Sequence, residues 1–204
     1  MNPIRLSLLA DGPRDHATLP LLLATILGRQ IAVAGAHEWK GLRLAGGGNA
    51  RKVAFAMRQA IDEGAAGLVV TADQDANPPR KKLRELRDAR DAERGKPGPA
   101  AILPVAIGEA RPHAEAWLLD DAVAIREGLR LASDHAVPSV RTVSYPKDTI
   151  DELDGLGEHP DDERPIDRLM RIATACDPTR CKNAKETGLH DFVDDVKQEL
   201  GKLP

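Results

Sequence analysis

The hydrophobic positions along the chain form short continuous runs separated by longer stretches with helical spacing. Runs rich in β-branched or small residues and bounded by turn residues indicate buried strands. Four runs predict strands, at residues 4–9, 31–34, 67–72 and 101–107. Pro104 lies inside the fourth run and predicts an edge position or a bulge, because proline cannot donate to a strand ladder. The segment 39–44 is ambiguous and is compatible with an extended edge segment.

The stretches between and after these runs carry apolar residues three or four apart, as amphipathic helices do. We predict that the first helix begins near Thr18, because Pro20 is best tolerated in a first turn, with Asp15 or Thr18 as its cap. Asp120 or Asp121 is the predicted cap of a helix that continues to residue 129. Five further helices are predicted: one that ends at residue 64, one from 79 to about 94, a short one that begins at 145–148, and two that cover 166–175 and 189–200.

Strands that alternate with helices predict an α/β fold, a three-layer sandwich with a mostly parallel central sheet. The character of the chain changes after about residue 135, where helical patterns continue without strand-like runs. We therefore predict an α/β domain over residues 1–135. Residues 136–204 are predicted to form a helical C-terminal extension that packs on the same domain as a cap.

Composition narrows the possible functions. Hydrophobic residues make up 42% of the 204 residues and charged residues 30%, which is typical of a globular protein. Aromatic residues make up only 2%, which argues against the stacking platforms of single-strand-binding proteins. The net charge of −3 does not indicate nucleic-acid binding by bulk electrostatics, although a local basic patch remains compatible with it.

Two features suggest a cytoplasmic protein. Cys176 and Cys181 are too few for a disulfide scaffold, and their spacing without a second pair is weak evidence for zinc, so two reduced thiols are expected. The start of the chain enters a strand-like run without a cleavage signature, and no stretch has the length needed to span a bilayer. We expect no membrane partner.

The most informative stretch places two carboxylates at the end of the third predicted strand. Asp73 and Asp75 follow residues 67–72 directly. In open α/β sheets ligands bind at the carboxyl ends of the strands, and paired carboxylates there favour a hard cation such as Mg²⁺ or Mn²⁺. The alternative is an ordinary loop in which Asp73 caps a turn and Asp75 is solvated.

Other polar residues follow neighbouring strands. Asp11 and Asp15 come after the first strand, and they are either site residues or simple turn and cap residues. Glu115 follows the fourth strand in a mostly apolar helix, where a buried carboxylate needs a partner or a metal; alternatively it faces solvent. His113 and Arg111 are adjacent candidate partners for it.

Two further stretches have simple alternatives. The helix after Asp75 is strongly charged and is either a solvated outer helix or a basic surface, beginning at Arg80, for a phosphate backbone. Three glycines at 46–48 precede a helix, but the Lys-Ser or Lys-Thr ending of a phosphate-binding loop is missing, so a flexible loop is the simpler interpretation.

Taken in order, these motifs resemble the Toprim fold of topoisomerases, primases and the overcoming-lysogenization-defect nucleases. The resemblance is closest to stand-alone Toprim-like proteins of bacterial defence loci. It rests on the acidic turn 11–15, the Asp-x-Asp at 73–75 and the Glu-Ala-Trp-Leu-Leu segment at 115–119. It covers residues 4–130 and, more faintly, the tail. The fold that it implies is a Toprim/Rossmann-like sandwich.

The resemblance also implies roles for individual residues. Asp73 and Asp75 match the metal-binding pair, Asp11 matches a glutamate associated with metal binding and acid/base work, and Glu115 matches the downstream glutamate. Asp11 is one methylene shorter than that glutamate, which affects activity more than fold. Asp15 matches the second acidic position of the turn, where we expect phosphate or substrate contact. Basic candidates for the phosphate are Arg14, Arg80 and Lys147.

The expected function is Mg²⁺- or Mn²⁺-dependent hydrolysis of nucleic-acid phosphodiesters. The setting that the resemblance implies is a phage-defence system, in which a separately encoded ATPase is the expected partner. One alternative is a catalytically degenerate Toprim-like module that binds a protein or nucleic-acid partner. A weaker alternative is a phosphatase or phospho-acceptor domain, whose usual sequence after the first Asp is missing here. Apolar helices in the tail are compatible with a homodimer.

Overall fold

The computed structural model describes residues 2–42, 48–74, 77–78 and 80–204. Four strands form one parallel sheet in the order β2-β1-β3-β4. Their bounds are Ile4–Ala10 for β1, Ile31–Glu38 for β2, Gly67–Asp73 for β3 and Val105–Ala110 for β4. The predicted α/β class with a parallel sheet is therefore confirmed.

Helices follow each strand and form the whole carboxyl-terminal part. Their bounds are Pro13–Leu27 for α1, Asn49–Asp62 for α2, Lys81–Arg94 for α3, Glu115–Leu119 for α4, Ala122–Leu129 for α5, Pro146–Asp154 for α6, Pro165–Ala175 for α7, Ala184–Thr187 for α8 and Leu189–Leu200 for α9. Short 3-10 turns cover Pro99–Ile102, Val140–Thr142 and Pro178–Arg180. The absence of strands from the tail is as predicted.

The sheet is covered on both faces because its strands alternate between two hydrophobic clusters. In β3, Leu68 and Val70 pack with α2 and α3, whereas Val69 packs on the opposite face with α1 and α9. Strands buried on both faces read as continuous apolar runs, which explains the pattern at residues 67–72. The result is a three-layer sandwich.

The tail packs directly on the sheet through α9. Phe192 is fully buried and stacks on Trp117 with 4.8 Å between the ring centroids. Both rings lie over Gly108 of β4, where an added Cβ would approach Phe192 to 2.7 Å. Glycine at this position therefore lets two of the few aromatic side chains cover the edge strand. Asp121 caps α5 by accepting hydrogen bonds from the N–H groups of Val123 and Ala124, in accord with the prediction.

Two of the predicted boundaries that were wrong involve proline. Helix α1 begins at Pro13 rather than near Thr18, so Pro20 lies in its interior. Pro13 suits a first helical position, and burial of the apolar face of α1 outweighs the hydrogen bond that Pro20 cannot make. The fourth strand begins at Val105, because Pro104 precedes the strand and does not interrupt it. This strand does lie at an edge of the sheet.

Several other predictions concern segment ends or cysteines. Strand β2 extends to Glu38, beyond the predicted end at residue 34, and a turn follows at 39–41. Residues 43–47, which include most of the glycine-rich segment, lie outside the described residues. Cys176 and Cys181 are buried free thiols, and their mutual hydrogen bond, followed by burial, raises the pKa of Cys181 well above its ordinary value. In the described part of the chain, no helix combines the length and apolar character needed to cross a bilayer.

Candidate active site

The candidate site lies where the strand order reverses. The chain moves from β1 outward to β2 and then crosses to β3 on the other side of β1, which creates a crevice at the carboxyl ends of β1 and β3. Ligands of open α/β sheets bind at such positions. Asp11 follows β1 and Asp73 ends β3, and the backbone N–H of Asp73 donates to Oδ2 of Asp11 at 2.8 Å. The fold thus joins two of the residues that sequence analysis selected.

Asp15 lies in the first turn of α1 and faces the same crevice. Its Oδ2 accepts hydrogen bonds from the backbone N–H groups of Asp11 and Gly12, each at 3.1 Å. Burial, followed by repulsion from Asp73, Glu115 and Asp11, raises the pKa of Asp15 to about 7. Asp15 therefore stabilises the turn as predicted, and its ionised form is also disfavoured by burial and by the neighbouring carboxylates.

Asp73 is fixed by the segment that follows β4. His113 Nδ1 lies 3.0 Å from Oδ2 of Asp73, and the N–H of Ala114 donates to Oδ1 at 3.2 Å. Burial, followed by repulsion from Asp11, raises the pKa of Asp73 to about 6, although the hydrogen bond with His113 acts in the opposite direction. Asp73 is thus a precisely oriented carboxylate rather than a solvated turn residue.

Glu115 does not face solvent, which was the simpler alternative. It begins α4, and its side chain is 10% exposed. Arg14 Nε lies 2.9 Å from Oε1 of Glu115, while the same guanidinium donates to both carboxylate oxygens of Asp151 in α6. Arg14, rather than His113 or Arg111, is therefore the partner of Glu115, and it links the sheet edge to the helical tail.

A cavity of about 360 Å³ lies at this sheet edge, and of the predicted acidic residues Asp15, Asp73 and Glu115 line it whereas Asp11 does not. Asp15, Asp73, His113 and Glu115 line it on the side of the sheet, with Arg14 between sheet and tail. Tyr145, Lys147 and Asp148 line it from the start of α6. The cavity therefore contains two of the three basic residues predicted to contact phosphate.

The third basic candidate, Arg80, does not line the cavity. Its guanidinium lies 3.3 Å from Asp191 in α9, and its N–H donates to the buried carboxylate of Glu109 at 2.7 Å. Glu109 also accepts from the N–H groups of Lys82 and Leu83 at the start of α3 and from Nε of Arg111. Glu109 thus caps the start of α3 by accepting from its backbone N–H groups, and this holds Arg80 in a turn away from the cavity.

Lys82 was not predicted as a site residue but lies close to the site. Its ammonium group donates to the carbonyl oxygen of Asp73 at 2.7 Å. This contact places a positive charge at the carboxyl end of β3. Asp75, the second member of the Asp-x-Asp pair, lies outside the described residues, so its predicted role remains a prediction.

The donor set suits a hard cation only in part. Among the described residues, no three histidine, cysteine, aspartate or glutamate side chains are arranged to hold a metal ion. Mg²⁺, however, keeps several water ligands and is often held by one or two carboxylates together with substrate phosphates. Asp73 and Asp11, which are neighbours at the sheet edge, fit that smaller requirement. Burial and then repulsion from Asp11 raise the pKa of Asp73, and a bound cation would relieve the repulsion.

Three contacts of the candidate site could not be predicted from the sequence, for a common reason. His113 with Asp73, Asp151 with Arg14, and Glu109 with the start of α3 all join residues far apart in the chain. The position of His113 just after a predicted strand was a usable signal. Lys147 in the same helix was predicted as a site residue, but nothing in the sequence indicates that Asp151 pairs with Arg14.

Comparison of the chain with protein-family models, with curated proteins and with solved structures found no match.

Proposed function

We propose that this protein hydrolyses nucleic-acid phosphodiesters in a reaction that depends on a divalent cation. The main support is the gathering of Asp11, Asp15, Asp73 and Glu115 at one sheet edge, where burial and then mutual repulsion raise the pKa of Asp15 and of Asp73. Strongly perturbed carboxylates in a cleft are typical of functional sites. The Toprim-like order of the motifs agrees with this proposal.

Asp73 and Asp11 are the residues that would hold the cation, with Asp75 as a further ligand. A bound Mg²⁺ or Mn²⁺ would supply charge stabilisation and an activated water. His113 orients Asp73 through Nδ1, and the N–H of Ala114 fixes the other oxygen of the carboxylate. These two contacts preserve the carboxylate geometry before any ligand arrives, which reduces reorganisation during the reaction.

Lys147 and Arg14 are the cations suited to the substrate phosphate. Both line the cavity, Lys147 from the first turn of α6 and Arg14 from α1. Arg14 is already paired with Glu115 and Asp151, so it serves first to position the site and only secondarily to bind an anion. Lys147 is exposed and is the simpler phosphate ligand.

The decisive variant is Asp73→Asn. Purified protein is incubated with single-stranded DNA, double-stranded DNA and RNA, each with Mg²⁺, Mn²⁺ or EDTA. We expect cation-dependent cleavage by the wild type and a loss of at least about a hundredfold in the variant, a magnitude typical of removing a key electrostatic contact. Asp134→Asn, at an exposed position away from the site, is the matched control and should cleave normally. Equal cleavage by the wild type and Asp73→Asn would refute the proposal.

A second candidate function is supported by a separate observation. The described residues lack a ready three-residue metal site, and both oxygens of Asp73 already accept hydrogen bonds from the protein. These facts favour a non-catalytic Toprim-like module that binds a partner. Calorimetric titration with Mg²⁺ and Mn²⁺ in the presence of a non-hydrolysable phosphodiester analogue separates the two functions, because the hydrolase requires cation binding that Asp73→Asn weakens. A module of the second kind would retain partner binding in that variant.

A further inference from the structure

A second cavity adjoins the candidate active site through Arg14. Its volume is about 200 Å³. The apolar part of its wall comes from α5, α6 and α7 and the residues next to them, and consists of Leu129, Ile150, Pro165, Ile166, Leu169 and Ile172. Arg14, Asp151 and Asp154 supply its polar wall.

The size and lining of this cavity suit one planar ring system. A cavity of about 150 Å³ lined by aliphatic and aromatic side chains is large enough to bind benzene. Leu129, Ile150 and Ile172 form the closed floor of the cavity, since each is at most 2% exposed, and the more accessible Pro165 and Ile166 form its apolar rim. A flat heterocycle would pack against this rim.

The polar wall suits a ring that carries N–H groups. Asp151 and Asp154 supply carboxylate oxygens, which can accept further hydrogen bonds beside their present partners, Arg14 for Asp151 and Arg168 for Asp154. Arg14 forms the boundary with the first cavity: its Nε faces Glu115 there, and its Nη atoms face Asp151 here. A planar guanidinium can stack on a ring while its edge contacts an anion. A single ligand can therefore place a phosphate in one cavity and a ring in the other.

We propose that the second cavity binds the unstacked base of the nucleotide whose phosphate contacts the candidate active site. This inference rests on the proposed function and specifies its substrate as single-stranded nucleic acid. An intact duplex keeps its bases stacked and paired, so presenting a base to the cavity would cost the free energy of unstacking and unpairing it. Recognition here depends on aliphatic burial, which agrees with a chain that has only two Trp, two Phe and one Tyr.

Binding to short single-stranded DNA tests this proposal without cleavage when Ca²⁺ replaces Mg²⁺. One probe carries a single 2-aminopurine, whose fluorescence reports unstacking, and a second probe carries an abasic residue at the same position. We expect the wild type to bind the abasic probe roughly tenfold to a hundredfold more weakly, as expected for losing one buried ring. The 2-aminopurine signal should change on binding.

Ile166→Trp fills the cavity from its half-buried rim. It should weaken binding of the 2-aminopurine probe by a similar factor and should leave binding of the abasic probe unchanged. Ile102→Trp is the matched control, because Ile102 is 84% exposed and does not line the cavity. Thermal melting establishes that each variant folds, and Ile166→Met replaces Ile166→Trp if the latter does not.

Equal binding of the two probes by the wild type would overturn the base site, and so would full binding of 2-aminopurine by a folded Ile166→Trp. Either result together with preserved cleavage by the wild type would leave the proposed hydrolysis intact. Conversely, base-dependent binding without cleavage of any substrate would support the base site and would count against hydrolysis.

Discussion

Replacing Asp15 by Asn should make the protein more stable at pH 8. Burial and three neighbouring carboxylates raise the pKa of Asp15 from 3.8 to about 7. Asn keeps an oxygen that can accept the N–H groups of Asp11 and Gly12 but carries no charge. The substitution therefore removes the electrostatic penalty while it preserves the turn.

The sign follows from proton binding in the two states. Between pH 4 and pH 7 the unfolded chain has released the Asp15 proton while the folded protein retains it, so the free energy of unfolding falls as pH rises. The penalty is absent below the unfolded pKa and is complete above the folded pKa. The advantage of Asp15→Asn should therefore be small at pH 4 and largest above pH 7.

The magnitude follows from the same pKa values. The rise from 3.8 to about 7 corresponds to about 4 kcal/mol, at about 1.4 kcal/mol for each pKa unit. Structural relaxation and entry of water reduce such penalties, so we expect a gain of about 1–3 kcal/mol at pH 8. In a chain of this size each kcal/mol corresponds to about 2–4 °C in melting temperature.

Urea unfolding of the wild type and Asp15→Asn at pH 4 and pH 8 measures the effect. Asp134→Asn is the control, because exposed substitutions usually change stability by less than about 0.5 kcal/mol. An Asp15→Asn variant that is less stable than the wild type at pH 8, or whose advantage is the same at both pH values, would show that the ionised Asp15 carboxylate does not destabilise the folded protein.

Two further predictions concern residues that hold the site in place. Glu109→Gln should destabilise the protein by about 2–4 kcal/mol in urea unfolding, because the fully buried carboxylate accepts four hydrogen bonds and the NH₂ group of Gln cannot accept its share of them. Glu152→Gln, at an exposed position, is the control and should be neutral. A neutral Glu109→Gln would contradict the capping role. Gly108→Ala should cost about 1–3 kcal/mol by the same measurement, because its Cβ would lie 2.7 Å from Phe192. Gly48→Ala, where no atom lies within 4 Å of the added Cβ, is the control, and equal stability of the two alanine variants would refute close packing at Gly108.

The parts of the fold that sequence predicted best are those with strong periodicity. The last helix was predicted at residues 189–200 and is found at Leu189–Leu200, because Phe192 and Val196 lie on one helical face and are both buried. The run at 67–72 was similarly clear, since a strand buried on both faces leaves no polar interruption. Local pattern and tertiary packing agree in these elements.

Prediction failed where a local rule competed with packing. Pro20 suggested a late start for α1, yet α1 buries Leu19, Leu22 and Leu23 and begins at Pro13. The proline rule describes the cost of one missing hydrogen bond and cannot weigh it against the apolar area that the helix buries. The late start of β4 has a simpler cause, since the apolar run began before Pro104 while the ladder begins after it.

The site could be predicted as a set of strand-end residues but not as a network. Asp11 and Asp73 meet because both end parallel strands that are neighbours in the sheet, although the strand order itself was not predictable from the chain. The pairing of Arg14 with Asp151 spans 137 positions and depends on how α6 crosses the sheet edge. Sequence therefore identified the acidic residues more readily than the residues that orient them.

The charge balance of the cavity constrains how a phosphate could enter. Its described lining contains four acidic side chains, from Asp15, Asp73, Glu115 and Asp148, against the two basic ones of Arg14 and Lys147. The balance is −2 when all six are ionised, and Arg14 is already paired with Glu115 and Asp151.

An anionic substrate alone would therefore be repelled, and a divalent cation alone would find few preorganised ligands among the described residues. Under the proposed function, each ligand supplies what the other lacks, because the phosphate adds oxygen ligands and the cation cancels carboxylate charge. Binding of the two should thus be strongly cooperative, and the buried carboxylate charge that lowers stability at pH 8 would, under the proposed function, make the site selective for a phosphate that binds together with its cation.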